Sequence, residues 1–369
     1  MMREKITCDL CGEEITCEPN FAEGRQLCQN CYDYETFRCD CCGGRYLLSH
    51  EVSDEHISIC EECYEDHYHR CDRCDRLVHD SEVFWEDDNA YCCRCYEEEH
   101  QSSIRDYCYK PTPIFYKRPM EGRVRYYGVE LEIDGGGKIE DNAERLYDIA
   151  NQQNDLLYIK SDSSLEEGME LVSHPCSVQY HKQSFPWKEV MKEAVRLGYR
   201  SHNTCTCGLH IHIGRDDLGE TIEAQEEVIS RIMFFFESHW NEIFRFSRRA
   251  EYSVRRWASR YGYKDSPKEI LEDAKKASKG RYTCVNITNS STVEIRIFKG
   301  TLKWNTFMAA IELVDAICEN ALRLSDERIH KQSWNEFVMD IDPDYMELVK
   351  YFKEKRLYVN EPVEEEEEV

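Results

Sequence analysis

The sequence predicts an α+β protein whose first hundred residues are built differently from the rest. Three observations lead to this prediction. Cysteine pairs repeat at a regular spacing near the start of the chain, later segments alternate aliphatic with charged residues, and helix-like segments lie between those. Strict alternation is typical of a half-buried strand, whereas apolar residues three and four positions apart are typical of a helix. The change of pattern also predicts separate domains.

The composition limits the classes of protein to consider. The chain of 369 residues carries 47 basic and 73 acidic residues, a formal net charge of −26. Such a surface repels phosphate backbones, so we expect no nucleic-acid partner. No apolar run approaches the roughly 20 residues that span a bilayer, and the first residues lack the apolar segment of a secretory signal. We therefore expect a cytoplasmic protein without a membrane partner.

Fifteen of the 21 cysteines fall in the first 95 residues and form a repeat. Six Cys-x2-Cys pairs combine into three quartets, with 16 or 17 residues between the two pairs of each. The quartets are Cys8, Cys11, Cys28 and Cys31; Cys39, Cys42, Cys60 and Cys63; and Cys71, Cys74, Cys92 and Cys95. Two thiolates at this spacing can face one ion, and four complete the tetrahedral shell of a structural Zn²⁺. The sequence therefore predicts three zinc modules, at residues 1–36, 37–68 and 69–100.

The second pair of each quartet runs into an aromatic residue and several acids, as in Cys60-Glu-Glu-Cys-Tyr-Glu-Asp66. Acids in a first turn favour a helix beginning there. The arrangement is similar to a treble clef, with the spacing of LIM or GATA-type fingers but without their basic helix, so we expect these modules to bind protein. A disulfide framework is the alternative, and the metal-like spacing without a secretory signal disfavours it. The remaining candidates are expected to be non-ligands, although substitution stays open: Cys17, Cys41, Cys93, His50, His69 and His79.

Four later segments each place chemically active side chains on one face of a predicted strand and aliphatic side chains on the other. The active residues are Glu130, Glu132 and Asp134; Glu170; His210 and His212; and Glu294 and Arg296. An ordinary solvated face would mix Thr, Lys, Ser and Gln. Carboxylates that repel one another are better explained by a concave polar face that binds a cation. Helices would then cover the aliphatic side of the sheet. The close pair Tyr282–Thr288 and Thr292–Phe298 predicts a largely antiparallel sheet.

Helices are expected between and after these strands. The predicted helices are Ile139–Asn151, Ser177–Leu197, Glu220–Arg248, Pro267–Ser278 and Lys303–Leu324, with a further helix within 334–356. Phe234, Phe235 and Phe236 form an apolar run that we assign to the core. Residues 101–122 hold three of the nine prolines and are interpreted as a stiff linker or strap. The last part, 331–369, is expected to add a C-terminal helix and an acidic tail, Glu364–Glu368, without fixed structure.

Taken together, the motifs between about residues 123 and 324 resemble the amidoligases of the glutamine synthetase and glutamate–cysteine ligase fold. The matching motifs are Gly128-Val-Glu-Leu-Glu132, Lys160-Ser-Asp-Ser-Ser-Leu165 with Gly168-Met-Glu-Leu-Val-Ser173, Gly208-Leu-His-Ile-His-Ile-Gly214, Arg281-Tyr-Thr-Cys-Val-Asn286 and Thr292-Val-Glu-Ile-Arg-Ile-Phe-Lys-Gly-Thr-Leu302. The resemblance implies a curved, largely antiparallel sheet with packed helices. It also implies an amidoligase-like catalytic domain at residues 123–330.

The resemblance further implies roles for single residues. Glu130, Glu132, Glu170 and Glu294 would ligate Mg²⁺ or Mn²⁺, and His210 or His212 would contact metal or nucleotide. Arg296 would hold the transferred phosphate, Asp162 would meet the substrate amine or metal, and Arg281 and Asn286 would line the pocket with the other ATP-binding residues. Lys160 and Lys299 could also touch phosphate, although an exposed lysine is the commoner outcome.

The residue types agree with this chemistry. Joining a carboxylate to an amine in water requires activation, commonly as an acyl phosphate made from ATP, and hard divalent cations that bridge phosphates take oxygen ligands. The sequence therefore predicts an ATP-dependent amide or isopeptide ligase whose zinc modules recruit a protein or peptide substrate, beside a small carboxylate or amine. Two alternatives remain: an inactive ligase-like zinc adaptor, and a metallohydrolase built on His210-x-His212 and the carboxylates.

Overall fold

A computed structural model of the chain describes residues 6–86, 88–100, 102–202, 204, 206–276 and 280–358. The acidic run Glu364–Glu368, predicted to lack fixed structure, lies outside the described residues. The chain divides into two compact units. Unit 1 comprises Met1–Gln101 with Cys108–Pro111, and unit 2 comprises Ser102–Tyr107 with Thr112–Val369.

Unit 1 consists of short hairpins and short helices. Its elements are β1 (Asn20–Ala22), β2 (Arg25–Leu27), α1 (Gln29–Tyr34), β3 (Thr36–Arg38), β4 (Arg45–Leu47), β5 (Glu51–Ser53), β6 (Ser58–Cys60), α2 (Glu61–His67), β7 (Tyr68–Arg70), β8 (Leu77–His79), β9 (Phe84–Glu86), β10 (Asn89–Tyr91) and α3 (Cys93–His100). Consecutive strands pair as antiparallel hairpins, from β1 with β2 to β9 with β10. Each helix begins at the second cysteine pair of a quartet, as predicted; α1 follows Cys28 and α2 follows Cys60.

Unit 2 is a mixed unit of helices and one sheet. Its elements are β11 (Ile104–Arg105), β12 (Tyr127–Ile133), α4 (Glu140–Ala150), β13 (Leu157–Lys160), β14 (Met169–Ser173), α5 (Val178–Gln183), α6 (Trp187–Arg196), β15 (Gly208–Gly214), α7 (Ile222–Ser238), α8 (Trp240–Ser247), α9 (Glu251–Trp257), α10 (Pro267–Lys275), β16 (Val285–Asn286), β17 (Thr292–Lys299), α11 (Trp304–Arg323), α12 (Asp326–Lys331), α13 (Trp334–Met339) and α14 (Met346–Lys355). The α+β class is confirmed.

Among the described residues, the sheet of unit 2 has seven strands in the order β11-β13-β14-β12-β15-β17-β16. Every neighbouring pair is antiparallel except β11 with β13, which is parallel. The longest strands, β12, β15 and β17, lie side by side, so their side chains form the middle of the sheet. This order brings together the strands on which charged residues were expected.

Alternation along the strands explains why one face of the sheet is apolar. Val129, Leu131 and Ile133 of β12 are fully buried in the hydrophobic core of unit 2. Helix α11 is buried along nearly its whole length, as expected of a helix that is apolar on most sides. The run Phe234, Phe235 and Phe236 of α7 belongs to the same core, as predicted.

Several elements differ from the expectations. The single helices expected at Ser177–Leu197 and Glu220–Arg248 are each two helices, with breaks at Pro186 and His239. Residues 334–356 form two helices separated by a turn that contains Pro343, because proline disfavours helical backbone at the residue before it. Residues 102–107 and 112–122, part of the expected linker, belong to unit 2, where Ile104–Arg105 forms β11.

Membrane association through a helix was not expected from the sequence. Among the described residues, no helix combines the length and the apolar character needed to cross a bilayer.

Candidate functional site

The three cysteine quartets of unit 1 are gathered as the spacing predicts. In each quartet, the four Sγ atoms lie within 4.8 Å of one another. Cys11 Sγ lies 3.8 Å from Cys28 Sγ, and Cys74 Sγ lies 3.6 Å from Cys92 Sγ. Four sulfurs at about 2.3 Å from a tetrahedral Zn²⁺ would be about 3.8 Å apart. The cysteines therefore suit three structural zinc sites.

The first cysteine of each quartet has a lowered pKa, which favours its thiolate form. Burial alone would raise the pKa of Cys8, but main-chain N–H groups of Cys11 and Cys28 point at its sulfur and lower the pKa to about 6. The same balance lowers the pKa of Cys39 to about 6 and that of Cys71 to about 7. Thiolates are the form that binds metal.

A recurring aspartate, which the sequence analysis missed, joins the two cysteine pairs of each module. Asp9, Asp40 and Asp72 directly follow the first cysteine of their quartets. Their carboxylates accept main-chain N–H bonds from Gln26 at 2.6 Å, Ser58 at 2.8 Å and Ala90 at 2.6 Å, respectively. The signal was available in the sequence, because the aspartate recurs at the same place in each quartet.

Each quartet contains the four cysteines that the spacing predicts. Cys17 and Cys41 are exposed. His50 Nδ1 lies 2.7 Å from Glu23 Oε1, and His69 Nε2 lies 2.7 Å from Asp80 Oδ1. His79 Nδ1 lies 2.8 Å from the hydroxyl of Ser81.

In unit 2, strand pairing places the predicted residues in neighbouring positions on one face of the sheet. Glu132 of β12 is opposite Glu170 of β14, which is in turn opposite Lys160 of β13. Glu130 is opposite His210 of β15. His212 is opposite Glu294 of β17, which is opposite Asn286 of β16. Residues from six strands therefore meet on this polar face.

The centre of the polar face is a cluster of two carboxylates and two imidazoles. His210 Nδ1 lies 3.2 Å from Glu130 Oε2 and 3.6 Å from Glu294 Oε1. His212 Nε2 lies 3.2 Å from Glu130 Oε1 and 4.0 Å from Glu294 Oε1. Ligand atoms of Glu130, His210 and Glu294 all lie within 4.8 Å of one another. This set of oxygen and nitrogen atoms could hold a divalent ion such as Mn²⁺ or Mg²⁺.

The carboxylates of the polar face fall into two groups, one with raised and one with lowered pKa values, because of burial and neighbouring charges. Burial raises the pKa of Glu170 well above its usual value, and the charge of Glu130 adds to the effect. Burial also raises the pKa of Glu132. For Glu130 and Glu294, burial is outweighed chiefly by the nearby His212, so their pKa values are lowered. Buried carboxylates that repel one another are stabilised by a bound cation.

The remaining predicted residues lie at the edge of this cluster. The Nη1 group of Arg296 donates a hydrogen bond to Glu294 Oε1, and Asn286 Nδ2 donates to Glu294 Oε2 at 2.8 Å. Asp162 lies close enough for its charge to raise the pKa of Glu132. Arg281 stacks on Tyr282, whose ring also faces Arg296.

Two cations near these carboxylates are buried. The sequence left open whether Lys160 touches phosphate or is exposed; it is buried, with its Nζ 3.9 Å from Glu170 Oε2. Arg249 is buried between α8 and α9 and donates hydrogen bonds to the carbonyl of Phe298 at 3.2 Å and to Ser253 Oγ at 3.1 Å. Burial lowers the pKa of Arg249 to about 10. Nothing in the local pattern around Arg249 marks it, because the fold alone brings it to the sheet.

Gly208 allows the side chains of Arg249 and His210 to lie close to the main chain of β15. Its N–H donates a hydrogen bond to Glu132 Oε2. A Cβ atom at this position would lie 2.5 Å from Arg249 Nη2 and 2.7 Å from His210 Nε2. The glycine therefore leaves the space that the cation and the imidazole occupy.

Comparison with known proteins agrees with the motifs. Residues 146–318 match the model of a family described as "Putative amidoligase enzyme". The resemblance inferred from the sequence is thereby confirmed over this range. The matched residues include Glu170, His210, His212, Glu294 and Arg296, while β12 with Glu130 and Glu132 precedes them.

Similarity to solved structures is low. A bifunctional glutathione synthetase from Pasteurella multocida is 13% identical with a TM-score of 0.37, and the alignment covers 63% of this chain and 46% of that one. The class II 3-hydroxy-3-methylglutaryl-CoA reductase from Streptococcus pneumoniae is 12% identical with a TM-score of 0.16, and the alignment covers 66% of each chain. The chain thus spans less than half the length of the synthetase. No curated protein sequence matches the chain.

Proposed function

We propose, on the premise that residues 146–318 match the amidoligase family, that unit 2 is an ATP-dependent carboxylate–amine ligase that forms an amide or isopeptide bond. The observation that carries this proposal is the convergence of Glu130, His210 and Glu294, from three strands, on one small volume. The largely antiparallel sheet with one polar face supports a glutamine synthetase-like fold.

The proposed reaction has two steps. A carboxylate oxygen of one substrate attacks the γ-phosphorus of ATP, the bond to the bridging oxygen breaks, and ADP leaves. The amine nitrogen of the second substrate then attacks the carbonyl carbon of the acyl phosphate, phosphate leaves with the C–O bond electrons, and the nitrogen loses a proton. Phosphoryl transfer depends mainly on positioning and on neutralisation of charge.

The residues of the polar face suit these steps. Glu130, Glu132, Glu170 and Glu294 would hold Mg²⁺ or Mn²⁺, with His210 or His212 in contact with the metal or the nucleotide. A bound divalent ion would neutralise phosphate charge. Arg296 would donate hydrogen bonds to the transferred phosphate, because a guanidinium matches phosphate oxygens. Asp162 would orient the amine, and Arg281 and Asn286 would line the nucleotide side of the pocket.

Unit 1 would deliver the substrate. We propose that the zinc modules at residues 1–36, 37–68 and 69–100 recruit a protein or peptide to the catalytic domain at residues 123–330. The first hundred residues contain 26 acidic and 9 basic residues. Four thiolates on one Zn²⁺ add further negative charge to each module. A surface of this charge attracts basic segments, which are rich in lysine amines.

The experiment is an assay of ADP and phosphate release from Mg·ATP with mixtures of candidate carboxylates and amines, combined with intact-mass analysis for products that have lost one water. Glu130→Gln should lower turnover at least about 100-fold if the carboxylate holds the ion. Glu319→Gln, at an exposed position on α11, is the control and should behave as the parent. Equal turnover of Glu130→Gln and the parent would contradict the proposal.

A further inference from the structure

A row of cations and aromatic rings starts on the β13 side of the polar face. Tyr107 follows β11, and its ring centroid lies 5.2 Å from Lys160 Nζ and 5.7 Å from the guanidinium carbon of Arg281. Arg281 Nη1 also donates a hydrogen bond to the hydroxyl of Tyr107. The segment that was expected to be a linker therefore contributes a side chain to the site.

The row continues to the β17 side. The guanidinium carbon of Arg281 lies 5.2 Å from the ring centroid of Tyr282, and that of Arg296 lies 5.8 Å from the same centroid. We call Lys160, Tyr107, Arg281, Tyr282 and Arg296 the cationic arc. Strands β14, β12 and β15 lie between β13 and β17 in the sheet. The arc therefore spans the strands that carry the carboxylate and histidine cluster.

Among the described residues, Arg281 forms no ion pair, unlike the other two cations of the cationic arc. Lys160 pairs with Glu170, and Arg296 pairs with Glu294. Among the described residues, Arg281 has no carboxylate within 4.0 Å, and its hydrogen bonds go to the hydroxyls of Tyr107 and Tyr282. Arg281 is exposed, so its guanidinium is open to solvent in a chain whose net charge is −26. Its guanidinium is suited to an anion that arrives from solution.

We propose that Arg281 is a specificity-determining residue that binds a non-reacting anionic group of a ligand, a carboxylate or a phosphate. Tyr107 is a positioning residue that holds Arg281 on the Lys160 side of the polar face. Binding exchanges the neutral hydroxyl acceptors of Arg281 for an anionic acceptor, and charge-assisted hydrogen bonds are the stronger kind. Lys160 and Arg296, on either side, add attraction for the same anion. The inference rests on the proposed function in so far as it places this anion in the ligase site.

The first test measures how fast phenylglyoxal modifies Arg281 in the full-length protein, with mass spectrometry of the peptides. We expect either Mg·ATP or the dicarboxylate glutarate to slow the modification about tenfold, because the ligand occupies the guanidinium. Protection by Mg·ATP identifies a phosphate, and protection by glutarate but not by neutral glutaramide identifies a carboxylate. Arg328, exposed on α12, is the internal reference. Unchanged modification of Arg281 with both anions would overturn the proposal.

The second test concerns Tyr107. Tyr107→Leu removes the ring and the hydroxyl and should speed modification of Arg281 by about fivefold, while Tyr107→Phe keeps the ring and should give a smaller change. Tyr147→Leu on α4 is the matched control, because Tyr147 is 37% exposed and Tyr107 is 39% exposed. Equal rates for Tyr107→Leu and the parent would refute the positioning role. Both tests are read without turnover, so they can fail while ADP release succeeds, or succeed while it fails.

Discussion

The carboxylate of Asp40 accepts a hydrogen bond from the main-chain N–H of Ser58, 18 positions further along the chain, at 2.8 Å. Asp40 follows the first cysteine of its quartet, and Ser58 lies two residues before the third. The bond therefore fixes the distance between the two halves of the zinc site. In the reverse direction, the N–H of Asp40 donates to the carbonyl of Ser58 at 2.8 Å, so two bonds join the same two residues.

Replacing Asp40 should weaken zinc binding in the second module. Asp40→Ala removes a charged acceptor and leaves the N–H of Ser58 without it, so we expect a loss of about 1.5–3 kcal/mol, which is a factor of about ten or more in zinc affinity. Asp40→Asn keeps an oxygen acceptor and should lose less. Competition with a fluorescent chelator measures the affinity, and Asp66→Ala, at an exposed position on α2 of the same module, is the control. If Asp40→Ala and Asp66→Ala release zinc alike, the hydrogen bond does not hold the site.

Removal of zinc should unfold unit 1 and leave unit 2 folded. The hydrophobic clusters of unit 1 are small and include the ligating cysteines themselves, as in Cys71, Cys92 and Cys95 with Val78. Metal binding therefore supplies much of the folding free energy there. Unit 2 has its own large core and contains none of the three quartets. After chelation, limited proteolysis should cut unit 1 and spare unit 2, and readdition of Zn²⁺ should restore protection. Joint loss of both units would show that unit 2 depends on the metal.

A methyl group at Gly208 should damage the site more than the fold. The added Cβ of Gly208→Ala would lie 2.5 Å from Arg249 Nη2 and 2.7 Å from His210 Nε2, so both side chains must move. We expect ADP release to fall at least about 100-fold, since small displacements of positioned groups cost that much. Gly122→Ala is the matched control, because nothing lies within 4 Å of its added Cβ. Thermal unfolding of the two variants separates a local effect from a loss of stability. Full activity of Gly208→Ala would show that Arg249 and His210 can move away from the added methyl group without loss of function.

The sequence predicted long-range features only where a local pattern was long enough. β12 and β17 alternate over seven and eight residues, so both the strands and the faces of Glu130 and Glu294 could be predicted. β13 has four residues and β11 has two, and their pairing is decided by the rest of the sheet. For the same reason, neither the burial of Lys160 nor its position next to Tyr107 could be predicted. Asp134 was expected on the polar face but lies beyond β12, where its carboxylate accepts N–H bonds from Gly135 and Glu167 at 2.8 Å.

The buried His181 should make unit 2 less stable in acid. Its Nδ1 accepts a hydrogen bond from the indole N–H of Trp187 at 3.1 Å, and its Nε2 lies 2.8 Å from the carbonyl oxygen of Tyr127. These partners fit a neutral ring with its proton on Nε2. Burial lowers the pKa of His181 from 6.5 to about 4. The unfolded chain therefore binds a proton at this imidazole below about pH 6.5, whereas the folded protein binds it only near pH 4. The free energy of unfolding falls as the pH falls through this window, by up to about 3 kcal/mol.

The contribution of His181 is measured as the difference between two pH profiles. The free energy of unfolding of unit 2 is followed by urea denaturation from pH 7 to pH 4 at constant metal concentration, for the parent and for His181→Gln. Glutamine cannot take up the proton, so the variant should be less stable at pH 7 and should lose less stability on acidification. The exposed His330 of α12 provides the control, and His330→Gln is measured over the same pH range. If His181→Gln keeps the slope of the parent, the buried imidazole takes up its proton in the folded protein as readily as in the unfolded chain.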